Sequence, residues 1–524
     1  MSNKTNLFLL LFLFLLCSFL YLYNLDVRDF WAPDEGDFAQ IAKELDNNYI
    51  VPHLNNKPCG EKPPLFYYMI KLSSKIFHVL KDEISMRIPS GAFAIGGILF
   101  FFITLKNFFN IPLAIISSCI LLSNPLYYWQ ARYLQVDMIF SVLLFSSLLF
   151  FFWFYKTKKI IFYYLCFICL ALAFMAKGPI SVVLAVPVIV IFLFLQKNIR
   201  LLLVKETVVG IIIFIAIVVP WYLLVYYKEG LPYLYENIIR QNFIRFFDAW
   251  SHKRPFYYYF TTLPLDFFPW SIFLPMGIYI AFTEYKKNPY VIFFLVWFIW
   301  MFLFFSLSSG KISKYMLPLL PSLSLLSSLS FLKDKSRYNL IALIFFLVLQ
   351  LILAGFFFLY KLHIYPEFFI ERIIIGILCV ALAFAIYFFL KHRSMKKVFI
   401  AIFIFMITLF SIGNLSVYAK WNNYKSPKAF CENIKPYVQK GIPWVYYGSM
   451  RGVYIYYIGS FAHHIDEHDI KKLEKFKGRM DNFFILTRNR NLEEIHNTLG
   501  KVEILLKERI GDTIMVFCRY IKGN

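Results

Sequence analysis

Residues 341–355 read IALIFFLVLQLILAG, and runs of this kind decide the fold class. This one has no charge and lies inside a longer apolar segment that reaches the roughly 20 residues a helix needs to cross a bilayer. Residues 96–105 (GGILFFFITL) and 211–219 (IIIFIAIVV) read alike. Of the 524 residues, 60% are hydrophobic and only 16% charged, whereas a soluble domain carries about 25% charged residues. With 62 phenylalanines, the apolar excess cannot be packed into one water-soluble core. The chain reads as a polytopic α-helical membrane protein.

Working outward from that run, apolar segments fall near 84–105, 111–128, 136–155, 160–176, 178–195, 206–226, 263–282, 290–308, 315–332, 339–360, 372–390 and 398–418. A further run at 7–22 lacks a small-residue cleavage site, since Tyr21, Tyr23 and Asn24 follow it, and it reads as a retained span. That makes about thirteen transmembrane helices. Residues 1–419 form the expected transmembrane domain, with one long outer loop at 24–83 and a second at 227–262. Residues 420–524 form a polar tail, where PWVYYG, NFFILT and IMVFCR read as strands and 467–476 as a helix, giving a small α/β domain.

Net charge is +23. In a soluble protein that would suggest nucleic acid. Here its placement explains it without a nucleic-acid partner. With a cytoplasmic N-terminus, Lys106, then Lys156, Lys158 and Lys159, then Lys197, Arg200 and Lys205 occupy alternate short loops. Lys286 and Lys287, then Lys333, Lys335 and Arg337, then Lys391, Arg393, Lys396 and Lys397 continue the alternation. That is the positive-inside pattern, and an odd number of spans places the tail outside. The eight cysteines are scattered, several within spans, and give neither a zinc pattern nor a disulfide framework.

The outer loops hold residues with chemistry. Trp31-Ala32-Pro33-Asp34-Glu35-Gly36-Asp37-Phe38 opens an amphipathic stretch with Phe38, Ile41, Ala42 and Leu45 on one face. A second begins Glu61-Lys62-Pro63-Pro64, where paired prolines fix the start of a helix bearing Leu65, Met69, Leu72 and Ile76. Asp137, Lys177, Asn242, Arg245, His252, Lys311, Lys314 and Tyr315 fall on the same outer side. Structural duties compete for each: helix capping for Asp34, snorkelling for Lys62, solvation for any single loop charge. Cations gathered on the side that topology disfavours are better explained by function.

A cationic outer pocket beneath carboxylates suits a phosphate-bearing lipid. If a polyprenyl phosphosugar is the donor, breaking its glycosidic bond adds negative charge to the departing phosphate. Lys62, Arg245, Lys311 and Tyr315 are the expected phosphate-binding set. One fixed cation at about 4 Å is worth roughly 4 kcal/mol at an effective dielectric near 20. Asp34 would serve as general base toward a hydroxyl acceptor, whereas a phosphate acceptor is already nucleophilic.

At these residues the chain resembles the bacterial aminoarabinose transferases, which move 4-amino-4-deoxy-L-arabinose from undecaprenyl phosphate to lipid A. More broadly it is similar to the protein mannosyltransferase type of integral-membrane glycosyltransferase. The matching stretches are Pro33-Asp34-Glu35, Glu61-Lys62-Pro63-Pro64-Leu65, the Asp137 segment, Lys177-Gly178-Pro179, Pro220-Trp221-Tyr222, Arg245-Phe246, Phe268-Pro269-Trp270, and Phe305-Ser306 through Lys311 to Tyr315-Met316-Leu317-Pro318. The resemblance implies a GT-C type fold and inverting transfer at the periplasmic face of the inner membrane, with the tail periplasmic. It makes Asp34 the leading catalytic carboxylate, with Lys62, Arg245 and Tyr315 holding the lipid phosphate; beside these the outer-side residues offer Glu35 and Asp137 as further catalytic candidates and Asn242, Lys177 and His252 as candidate substrate contacts. In that family Glu61 is associated with a metal position, which admits a zinc ion without requiring any cofactor.

Two departures bear on the sugar. Asp37 and Phe38 stand where many relatives carry arginine and tyrosine, and Gln241-Asn242 where they often carry Glu-His. A hexosamine or a neutral hexose therefore stands beside aminoarabinose as donor sugar. The implied partners are an undecaprenyl-phosphate-linked sugar, lipid A or another envelope acceptor, and membrane lipids. A protein or O-chain acceptor is the alternative within this enzyme class. A transporter is disfavoured, because transporters gather charge near mid-membrane and these charges gather at one face.

Overall fold

The computed structural model describes residues 3–332, 337–359, 365–392 and 394–523. The chain packs as two compact units. One holds Met1–Leu25, Gly60–Phe66 and Arg87–Asn414; the other holds Asp26–Cys59, Tyr67–Met86 and Leu415–Asn524. The segments 26–59 and 67–86, most of the expected loop at 24–83, thus belong to the same compact unit as the tail.

The first unit is helical. Among the described residues the chain has nine helices long and apolar enough to cross a membrane, plus two bent pairs, each with the length and composition of a broken span or a re-entrant loop. Two shorter helices, Ile180–Leu195 and Leu320–Phe331, complete the set. Nine, two and two make the thirteen segments expected. Lys333, Lys335, Arg393 and the end of the 339–360 segment lie outside the described residues.

Three segments depart from straight spans, each at proline or glycine. The expected span 111–128 is two helices, Ile111–Leu122 and Pro125–Ala131, bent by 64°. Pro125 cannot donate to the preceding turn, and the Asn124 side chain caps the new helix by accepting from Tyr127 N at 2.8 Å. The expected span 263–282 is Tyr258–Asp266 followed by Trp270–Thr283 at 113°, with Pro269 in the break. The segment near 315–332 begins as a 3-10 turn, Ser313–Leu319, with Pro318 inside it. The segment 227–262, expected as a loop, is itself largely helical. Helix Lys205–Leu234 runs into it, kinks where Gly230 takes φ 73°, and continues as a π-helix, Tyr235–Ile244.

The second unit contains the α/β fold. After a short ribbon of β1 (His53–Leu54) and β2 (Lys57–Pro58) come β3 (Trp444–Tyr447), β4 (His463–Ile465), β5 (Asn482–Arg488), β6 (Glu503–Ile510) and β7 (Thr513–Ile521). The last five form one sheet in the order β4-β3-β5-β7-β6, parallel among the first three and antiparallel thereafter. Val445, Tyr447, Leu473, Phe483, Ile485, Ile495, Val516 and Cys518 build its core. Strands β3, β5 and β7 fall where the sequence places them, and helix Ile470–Lys477 matches the expected one. β4, at three residues, is too short to show a pattern, and edge strand β6 (EILLKERI) is charged and exposed. The apolar face of helix Asp34–Glu44 is covered by protein: Ile41 and Leu45 pack on Tyr67 of helix Leu65–Ile76, with Phe38 and Leu54 beside them.

Candidate functional site

Lys62 owes its position to rigid neighbours. Pro63 and Pro64 follow it, and helix Leu65–Ile76 starts at once. Just before it, the Gly60 carbonyl accepts from Asn237 Nδ2 at 2.9 Å, while Asn237 Oδ1 accepts from the Tyr222 hydroxyl at 2.9 Å. Asn237 is buried in the π-helix. There residues five apart meet: Asn242 Nδ2 donates to the Asn237 carbonyl at 2.8 Å, and Gln241 Nε2 to Glu236 Oε1 at 2.7 Å. Such π turns recur at functional sites because they re-aim side chains within a helix. Arg245 follows directly, with Nη1 on Gln241 Oε1 at 3.2 Å and its guanidinium over the Trp250 ring.

Lys177 closes helix Ile160–Lys177. Gly178 then takes φ 84°, a backbone conformation that favours glycine, with the Asn242 side chain beside it. The Lys177 ammonium pairs with Asp137 and sits 4.9 Å from the Tyr315 ring centre. Asp137 is buried and also faces Lys314 at 3.8 Å. Two lysines on one buried carboxylate supply the pairing that a buried charge requires.

These residues surround a cavity of about 250 Å³. Lys62, Lys177 and Arg245 bring three cationic side chains to it, and Gln241, Asn242, Ser308 and Tyr315 add neutral polar groups. Phe243, Phe246, Phe247, Phe304, Phe305, Ile180 and Val183 make the rest apolar. No carboxylate lines it. Loss of hydration pushes the Lys62 ammonium down to about 8 from an ordinary 10.5; Arg245 and Lys177 add to the fall, and Glu61 and Asp137 oppose it. The cavity is suited to a ligand with an anionic head and a long apolar body.

Lys62, Lys177, Asn242, Arg245 and Tyr315 are thus brought together as the sequence led us to expect. Lys311, His252, Asp137 and Glu61, in the same unit, do not line the cavity. Lys311 is buried and turned away: its ammonium is spent on the carbonyls of Ser308 and, at 3.0 Å, Arg254. It staples the loop at 308–311 to the loop at 245–254 rather than lining the cavity. His252 is exposed and does not line it either; its carbonyl accepts from Lys311 N in that same staple. Asp137 pairs with Lys177, and its charge also acts on Lys62. The phenylalanine walls, Gln241 and the Asn237 anchor were not singled out from sequence, since Phe and Asn are common throughout the chain and only the π turn makes these particular ones converge.

Asp34 and Glu35 belong to the second unit, at the start of helix Asp34–Glu44. The cap is Pro33, so Asp34 is not a capping residue; it is the first helical residue, half-buried, where the helix dipole favours negative charge. Glu35 is fully buried and accepts from Arg28 Nη2 at 3.1 Å and Trp31 N at 3.2 Å. Both of its oxygens are thereby held by its own unit. Glu61 is exposed, and among the described residues no three His, Cys, Asp or Glu side chains group closely enough to hold a metal ion. The residues around Glu61 therefore do not fit a zinc site.

The fold is that of the GT-C integral-membrane glycosyltransferases. It matches ArnT from Cupriavidus metallidurans, solved bound to undecaprenyl phosphate, with a TM-score of 0.80 and 16% identity over 100% of this chain and 99% of that one. It also matches the Archaeoglobus fulgidus oligosaccharyltransferase, at a TM-score of 0.51 and 14% identity over 89% of this chain and 65% of the other. Residues 61–224 match the dolichyl-phosphate-mannose-protein mannosyltransferase family. In sequence the chain is similar to the undecaprenyl phosphate-alpha-4-amino-4-deoxy-L-arabinose arabinosyl transferase of Pectobacterium atrosepticum, 28% identical over 54% of this chain and 52% of the relative. It is likewise similar to arabinosyl transferase 2 of Proteus mirabilis, 31% identical over 57% and 54%. The resemblance read from the motifs is borne out, and the chain spans about half the length of the curated relatives it matches.

Proposed function

We propose that this chain is an inverting glycosyltransferase that moves a sugar, aminoarabinose or a hexosamine, from undecaprenyl phosphate to lipid A at the periplasmic face of the bacterial inner membrane. The observation that carries this reading is the cavity with three cations, no carboxylate and phenylalanine walls. A phosphate fits among Lys62, Lys177 and Arg245, and a prenyl chain along Phe243, Phe246, Phe304 and Phe305. The names of the relatives support the donor and acceptor classes.

In the proposed reaction an acceptor oxygen attacks the anomeric carbon from the face opposite the phosphate. The new carbon–oxygen bond forms, the old one breaks, and its electron pair leaves with the lipid phosphate. The three cations stabilise that growing charge, and loss of one such group lowers turnover by about 100- to 1000-fold. Tyr315, with Lys177 over its ring, holds the lysine toward the cavity. Asp34 takes the proton when the acceptor is a hydroxyl, and orients the sugar or pairs with its amino group when the acceptor is a phosphate. No step requires a metal.

The test is mass spectrometry of lipid A from cells with and without the chain. Lipid A carrying one more aminoarabinose or hexosamine only when the chain is expressed supports the reading. Identical spectra from cells in which the protein is demonstrably present would remove lipid A as the acceptor.

A further inference from the structure

The parallel part of the sheet reverses direction at β3. The chain passes from β3 to β4 on one side, then returns to β5 on the other. In open α/β sheets the crevice beyond the carboxyl ends of the strands at such a reversal is where ligands bind. Here β3 ends at Tyr447, Gly448 turns with φ 112°, and helix Gly452–Ile458 begins. What lies at that edge is another part of the same unit, helix Asp34–Glu44.

The fit is close. The Asp37 carboxylate accepts from Gly452 N, and a Cβ at Gly452 would fall 2.9 Å from Asp37 Cα. A Cβ at Gly36 would fall 2.2 Å from Val453 Cβ and 2.3 Å from its Cα, so no side chain fits there. On the N-terminal side, Phe30 N donates to the Tyr457 hydroxyl at 2.8 Å, and Trp31 Nε1 to Asn422 Oδ1 at 3.0 Å. Beyond the other end, Asn55 Nδ2 donates to the Ala462 carbonyl at 2.8 Å, and Ala462 N to Asn55 Oδ1 at 2.9 Å. The helix is clamped at both ends and at its first turn.

We propose that the α/β fold of the tail is a positioning platform for Asp34, its ligand-binding edge given over to helix Asp34–Glu44, with Asp37 as the positioning residue. This rests on the proposed role of Asp34. It also gives the departure at Asp37 a reason: an arginine has no oxygen to accept from Gly452 N.

The test uses the full chain in lipid nanodiscs, comparing wild type, Asp37→Ala and Asp37→Asn. Hydrogen exchange is followed by mass spectrometry, and transfer is assayed with undecaprenyl-phosphate aminoarabinose as donor and lipid A as acceptor. In Asp37→Ala, exchange across Asp34–Glu44 should speed up about 10-fold or more while β3, β5 and β7 stay protected. Turnover should fall about 10-fold or more with the donor KM within about twofold. Asp37→Asn keeps an acceptor oxygen and should recover most of both. Unchanged exchange in the helix overturns the platform, and so does faster exchange with turnover intact. A wild type that transfers nothing removes the proposed function instead, and exchange alone then decides whether Asp37 holds the helix. Should Asp37→Ala fail to accumulate, Asp37→Ser carries the same comparison.

Discussion

Lys62 titrates in a useful range. Its ammonium loses its proton near 8, against 10.5 in an unfolded chain. Donor phosphate needs the charged form, so kcat/KM for the donor should fall as pH rises through about 8, since that ratio reports the free enzyme. Stability should move the other way. Between about 8 and 10.5 the unfolded chain holds the proton that the folded chain has released, so Lys62 makes the fold more stable as pH rises across that window. Lys62→Arg should abolish the fall in kcat/KM near pH 8, because a guanidinium stays charged there; an identical pH profile would remove Lys62 from the phosphate site. Lys311 is the contrasting case. Lys311→Ala should lower thermal stability by about 1–3 kcal/mol through the unsatisfied Ser308 and Arg254 carbonyls, while donor KM stays near wild type. A large rise in donor KM with stability intact would return Lys311 to the cavity. Asp137→Asn should cost about 3–5 kcal/mol, the cost of breaking a buried ion pair from one side. Wild-type stability in that variant would contradict the pairing with Lys177.

At the scale of the element, the π-helix Tyr235–Ile244 organises the site by spacing. Asn237 reaches Gly60, Asn242 approaches Gly178, and Arg245 follows on the same turn. Asn237→Ala removes the tie to Gly60 without touching the cavity, and should lower transfer about 10-fold by letting Lys62 drift. An unchanged rate would mean that Pro63 and Pro64 alone hold Lys62. Glu61-Lys62-Pro63-Pro64 was legible because prolines and charge mark a helix start at membrane level. The π turn was not, because Tyr235–Ile244 is only 10 residues of mixed polarity, too short to show a repeat of its own, and 227–262 therefore read as a loop. The breaks at Pro125 and Pro269 followed the same logic in reverse: the prolines were in plain sight, but continuous apolar residues on either side read as one span.

For the whole molecule, hydropathy carried the architecture, since crossing lipid as a helix demands long apolar runs. The small α/β fold was only partly readable, because a strand as short as β4 and an edge as polar as β6 leave little pattern. The grouping of 26–59 and 67–86 with the tail depends on contacts hundreds of residues apart, such as Asp37 with Gly452, which no local signal encodes. The orientation we propose follows from alternate basic loops, so a reporter fused after Lys420 should be active on the periplasmic side; cytoplasmic activity would overturn the orientation. The central claim is that the cationic cavity carries out sugar transfer from a lipid phosphate. Its most direct test is single-turnover transfer of labelled aminoarabinose from undecaprenyl phosphate to lipid A by the purified chain in nanodiscs, wild type beside Lys62→Ala. The wild type should yield labelled lipid A, and the variant should do so at a rate about 100- to 1000-fold lower. Equal rates in the two proteins would contradict it.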